Sequence, residues 1–242
     1  MGHEILADLL DRNDDHVAAL PPGAFDRHRE GQRPGVVSVC CSDSRVSQER
    51  MFDVDEPGFL FTAGTIGNSV SDVVDGQRVL DGSVAYPLGH TETEVLAVIG
   101  HTGCGAVGAA LTAARTGDFP TEPGVRADVE ALLPIVEAGL ESRAVVGDAA
   151  DGRDEARVGD AGGDASVRDR LVEYNVHEQV AFATECEETV DAAVYGLVYD
   201  FHGVYGDRDG AVYLVNADGE RDPAALRDIV GDGRESHVAT LL

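Results

Sequence analysis

Residues 95–105 read Val95-Leu96-Ala97-Val98-Ile99-Gly100-His101-Thr102-Gly103-Cys104-Gly105 and run into an Ala-rich stretch over 105–115. The apolar run has strand length and β-branched content, and it is continuous rather than alternating, as expected for a parallel strand covered on both faces. The glycines predict a tight turn, and the alanines beyond it predict a helix. In an open α/β sheet, ligands gather outside the carboxyl ends of the strands. His101 and Cys104 therefore stand where chemistry is expected.

Upstream, Gly35-Val36-Val37-Ser38-Val39-Cys40-Cys41 is a second run of the same kind, followed directly by Ser42-Asp43-Ser44-Arg45. Gly58-Phe59-Leu60-Phe61-Thr62 is another. Apolar spacing predicts helices over 4–20, closed by Pro21-Pro22-Gly23, over 124–143 and over 168–184, with later strands at 190–199 and 211–215. Residues 70–88 are expected as a crossover helix interrupted by Gly76 and Gly82. Strands alternating with helices imply right-handed βαβ units, hence an α/β fold with a mainly parallel β-sheet flanked by helices and an N-terminal helix. Residues 147–169 are Gly/Ala/Asp-rich and read as an acidic, flexible, solvated insertion within a single domain over 1–242.

The chain has 45 Asp plus Glu against 18 Lys plus Arg, a net charge of −27, and all the Lys/Arg residues are arginine. That balance excludes a nucleic-acid binder held by phosphate contacts and argues against docking on an anionic membrane. The N-terminus has neither a basic segment nor an apolar core of signal-peptide type, and no apolar stretch is long enough to span a bilayer, so a soluble, cytoplasmic protein is expected. Four cysteines in a chain of this length are too few for a disulfide framework.

If the runs ending at Cys41 and Ile99 are parallel neighbours, Cys41, His101 and Cys104 meet at one sheet edge. Two thiolates and an imidazole suit tetrahedral Zn2+, and three protein ligands with an exchangeable fourth position suit a catalytic rather than a structural zinc. Cys40 should point to the opposite face of its strand, into the core. Cys186 reads as core or surface, and His90, His177 and His202 have no partner at ligand spacing.

These residues carry a family resemblance. Cys41-Ser42-Asp43-Ser44-Arg45-Val46, Gly100-His101-Thr102-Gly103-Cys104-Gly105, Gln32-Arg33-Pro34, Asn68, Val172–Val180 and Val194–Asp200 resemble the β-class carbonic anhydrases over roughly residues 30–217. The resemblance implies a β-carbonic anhydrase-like fold, zinc on Cys41, His101 and Cys104, and a homodimer or higher homo-oligomer with the site near the subunit interface. It further implies reversible hydration of carbon dioxide to bicarbonate and a proton by zinc-bound hydroxide. Asp43 then accepts a hydrogen bond from the zinc-bound water and Arg45 holds Asp43, while Gln32 of a neighbouring subunit and the backbone of Gly105 contact substrate. The family's Arg ahead of Asn68 is missing, since Gly64-Thr65-Ile66-Gly67 stands there, and there is no tryptophan. A second, regulatory bicarbonate site is therefore not expected. Hydrolysis of carbon disulfide or carbonyl sulfide on the same fold, a non-catalytic zinc- or bicarbonate-binding module, and a thiol redox protein using Cys40 and Cys41 stay open at the level of sequence.

A chain so acidic and free of lysine resembles proteins of halophilic archaea. At molar salt the Debye length falls to about 3 Å, which screens the self-repulsion of the surface. A melting curve against KCl tests this: the melting temperature should rise steeply from dilute buffer to molar KCl, and undiminished stability in dilute buffer would refute it.

Overall fold

The protein's structure, a computed structural model, describes residues 2–146 and 165–242. Most of the acidic stretch read as an insertion, residues 147–164, lies outside the described residues. The chain forms two compact units, Met1–Gln32 and Arg33–Leu242. The first contains α1 (Gly2–Ala19), whose apolar stripe of Ile5, Leu6, Leu9, Leu10 and Val17 is exposed throughout.

The second unit holds β1 (Val36–Cys41), α2 (Gln48–Met51), β2 (Leu60–Thr65), β3 (Ser71–Val74), β4 (Gln77–Leu80), α3 (Gly82–His90), β5 (Val95–His101), α4 (Gly105–Thr116), α5 (Pro123–Glu141), α6 (Arg143–Val146), α7 (Val167–Thr184), β6 (Ala193–Asp200), β7 (Ala211–Ala217) and α8 (Pro223–Val230). Five strands make one sheet in the order β2-β1-β5-β6-β7, parallel except for β7. The continuous apolar runs at β1 and β5 are central and covered on both faces, as their patterning predicts. The run at 58–62 pairs later than expected, from Leu60. As an edge strand, β2 buries only Ala63 fully.

Residues 70–88 correct the sequence reading. Instead of one crossover helix, they form the hairpin β3–β4 followed by the short helix α3. The reason is local. Asp75 and Gly76 both adopt positive φ, 52° and 79°, which two-residue hairpin turns require and Asp-Gly supplies readily. Asp81 then caps α3, its carboxyl accepting from the Ser83 amide at 2.7 Å.

Side-chain alternation divides the core across the sheet. Val37, Val39, Leu96 and Val98 face the layer of α4, α5 and α7, while Cys40, Ala97 and Ile99 pack on the other side. Helix α7 is buried nearly all round, its valines 172, 176 and 180 in the core and its Asp169, Glu173, Asn175, His177 and Gln179 buried as well. It lies tight against the sheet because Gly196 on β6 has no side chain: a Cβ there would sit 2.7 Å from Val176 Cγ1 and 2.9 Å from Asn216 Cβ. Both contacts are with packed side chains, so neither neighbour has room to yield. Gly196→Ala should therefore destabilise the protein by about 1–3 kcal/mol, as overpacking does. Denaturant midpoints at fixed KCl measure it, and an unchanged midpoint would show that α7 is free to move away.

Candidate metal centre

The parallel pairing of β1 with β5 sets Cys40 opposite Ile99, which brings Cys41 and His101 to adjacent strand ends. After His101 the chain turns through Thr102 and Gly103, and Cys104 becomes the N-cap of α4. Gly103 has φ of +66°, and the His202 ring covers it so closely that a Cβ would lie 2.6 Å from Cε1. Only glycine fits this turn.

The ligand-capable atoms of Cys41, His101 and Cys104 all lie within 4.8 Å of one another. The two sulfurs are 3.8 Å apart. Thiolates held tetrahedrally at a Zn–S distance of about 2.3 Å would be separated by about 3.8 Å, so the pair is spaced for zinc. His101 is fully buried; its Nδ1 donates to the Thr102 carbonyl at 3.0 Å, since that oxygen can only accept. This fixes the tautomer and leaves Nε2 as a lone pair, buried and without a hydrogen-bond partner. An orphaned imidazole nitrogen beside two close sulfurs is what a metal site of this donor set requires.

The environment favours one thiolate, at Cys41. The Cys104 thiol donates to Cys41, and with help from the Gly67 amide this pulls the Cys41 thiol well down. Cys104, holding the proton of the pair and desolvated by burial, is pushed up, although the Val107 and Ala106 amides of α4 point at its sulfur. Cys40 sits on the other face as expected, and burial drives its thiol up to about 12.

Asp43 and Arg45 share the turn after β1. Arg45 donates from Nε to Asp43 Oδ1 at 2.9 Å, from Nη2 to Oδ2 at 2.6 Å, and from its backbone amide to Oδ1 at 2.9 Å. These bonds hold the Asp43 carboxyl far below the usual carboxylate range. Asp43 Oδ2 faces the donor triangle, 3.8 Å from His101 Nε2. Arg45 also reaches the Gly103 carbonyl at 3.4 Å and lies over the Phe201 ring, 5.0 Å from its centroid.

A family model described as carbonic anhydrase matches residues 36–210, which contain the donor triangle and the Asp43–Arg45 pair. The chain belongs to the carbonic anhydrase family. It is 36% identical over 137 residues to carbonic anhydrase 2 of Mycobacterium tuberculosis, an alignment covering 54% of this chain and 62% of that relative. The chain thus spans about three fifths of the length of this curated relative. A carbonic anhydrase of Emericella nidulans is 28% identical over 216 residues, 86% of this chain and 79% of that one. Among solved structures, the β-carbonic anhydrase of Coccomyxa superposes with a TM-score of 0.63 at 22% identity, covering 91% of this chain and 90% of its own. A tetrameric β-carbonic anhydrase of Sordaria macrospora gives 0.65 at 18% identity, covering 88% and 96%. The fold is that of the β class.

Of the residues singled out in the sequence, Cys41, His101, Cys104, Asp43 and Arg45 come together. Gly105 is the exposed first residue of α4. Gln32 falls in the other compact unit. His177 is buried against Glu173 and Asn216, and His90 stacks on Tyr86.

Sequence reading missed the support around this centre. Phe201 stacks on the His101 ring at 5.8 Å. The Asp200 carboxyl, fully buried, accepts from Thr102 Oγ1 and from the His202 and Tyr205 amides. Thr102 Oγ1 also lies 2.8 Å from His202 Nδ1. A carboxylate ending an apolar strand at the carboxyl edge was the available signal for Asp200. In the metal-free protein the depressed Cys41 thiol predicts a thiolate at neutral pH, whose contribution to stability is complete above the ordinary thiol range and lost as pH falls through its lowered value. Thiolate absorbance near 240 nm, followed from alkaline to acid pH, should keep one step well below the ordinary thiol range; loss of all thiolate signal below about pH 8 would refute it.

Proposed function

We propose that the protein is a zinc-dependent carbonic anhydrase that hydrates carbon dioxide reversibly to bicarbonate and a proton. The observation that carries this is the Asp43 carboxyl, locked by three bonds from Arg45 and aimed at the Cys41–His101–Cys104 triangle. A closed structural zinc site has no use for such a pair. Zinc held by these three residues would supply a Lewis acid that lowers the pKa of a water at its open position.

The chain's own groups orient the rest. Ionised Asp43 can only accept, so a water at the site must turn a hydrogen toward Oδ2 and present its lone pair to the carbon of carbon dioxide. Arg45 stays charged at every working pH and prevents Asp43 from swinging into the ligand triangle. The Phe201 ring, against both His101 and Arg45, supplies an apolar wall suited to an uncharged substrate. The amide of Gly105, at the first position of α4, has no partner within the helix and suits a substrate oxygen. Gln32 is the side chain we assign to substrate binding from a neighbouring subunit.

The exposed apolar stripe of α1 supports a homodimer or larger homo-oligomer, in which it would be covered. The tetrameric Sordaria macrospora relative fits the same reading. The −27 charge without lysine supports a high-salt, haloarchaeal-type cytoplasm as the working environment. Stopped-flow hydration of carbon dioxide in molar KCl tests the proposal. The zinc-loaded wild type should be active, with a rate rising toward alkaline pH, and Asp43→Ala should lose at least about tenfold in kcat/KM. An inactive wild type with zinc bound would overturn it.

A further inference from the structure

In the first turn of helix α7 a buried carboxylate sends one of its bonds out of the helix. Ser166 is the N-cap, its Oγ accepting from the Asp169 amide at 3.2 Å. An acidic residue at the third helical position ordinarily turns back to the cap's backbone N–H. Asp169 instead accepts from Ser166 Oγ on Oδ2 at 2.5 Å and sends Oδ1 to the Gly103 amide at 2.9 Å. It is only 7% exposed. Gly103 is the residue immediately before Cys104, and its carbonyl receives Arg45 Nη2.

We propose that Asp169 is a positioning residue for the metal centre: by holding the Gly103 amide it sets the turn that aims Cys104 at Cys41 and His101 and keeps the Gly103 carbonyl under Arg45. This deepens the zinc reading and rests on it. Three contacts clamp the turn: Asp169 on the amide, Arg45 on the carbonyl and the His202 ring over Cα. With glycine's wide backbone freedom at this position, the turn is not self-determined, and the Asp169 bond restricts the amide's orientation. Removing it leaves a buried N–H without a partner and lets the peptide rotate, so Cys104 and the Arg45 anchor lose their common reference.

Co2+ substituted for zinc reports the geometry through its thiolate charge-transfer and visible bands, and competition with a chelator reports affinity. Asp169→Ala in molar KCl should bind Co2+ at least about tenfold more weakly, with altered bands. Asp169→Asn, whose amide oxygen still accepts from Gly103, should restore both. Ser166→Ala should lower the melting temperature while leaving the bands unchanged. Wild-type affinity and bands in Asp169→Ala would overturn the inference, and so would an equal spectral change in Ser166→Ala, which would mean that the stability of α7 alone matters. If Asp169→Ala does not fold, Asp169→Glu takes its place: its longer arm should displace the turn and weaken binding, and a wild-type spectrum would overturn the inference. A wild type that takes up no Co2+ would refute the zinc reading and this inference with it. A metal-binding wild type beside an unaffected Asp169→Ala would refute this inference alone.

Discussion

The register between β1 and β5 is the constraint on which the rest depends. With Cys40 opposite Ile99, two strands that are remote in sequence end side by side, and everything chemical hangs from those two ends. A slip of one residue would turn Cys41 to the other face and put Cys40 in its place. That slip is opposed by the core itself, because Val37 and Val39 face the helical layer beside Leu96 and Val98 in this register and would turn away from it in the other. The site's geometry is therefore held by apolar packing on both sides of the sheet.

Helix α7 plays the complementary part. Its valines pack the core, and its polar residues reach the loops that the sheet leaves irregular. Asn175 donates to the Gly67 carbonyl, and Gln179 accepts from the Val70 amide. Glu173 accepts from the Tyr205 hydroxyl and the Leu241 amide. These bonds satisfy backbone groups that would otherwise be buried without partners, which is how a helix with so many polar residues is stable in the interior.

This division explains what could be read from the chain alone. The central strands were legible because a continuous apolar run has one physical interpretation in an α/β protein, and the ligand set was legible because Cys41, His101 and Cys104 follow such runs directly. The hairpin at 71–80 replaces the expected helix because Gly76, paired with Asp75, specifies a turn rather than a helix interruption. The buried side of α7 was not legible for a deeper reason. Asn175, Gln179 and Asp169 bond to backbone atoms of distant loops, and a backbone amide carries no residue identity for a sequence pattern to reveal. Asp169 in particular, assigned from composition to a solvated stretch, lies in the interior.

The pairing of Asp43 with Arg45 also bears on how the site meets changing acidity. The carboxyl is held far below its ordinary range, and the guanidinium is raised further by the same bonds. Through the neutral and alkaline range the two therefore remain an ion pair, and neither adds a titration step of its own there. An acid limb in a rate profile then points to ionisations other than this pair's, and the orienting pair acts as a fixed electrical fitting against which those can be read.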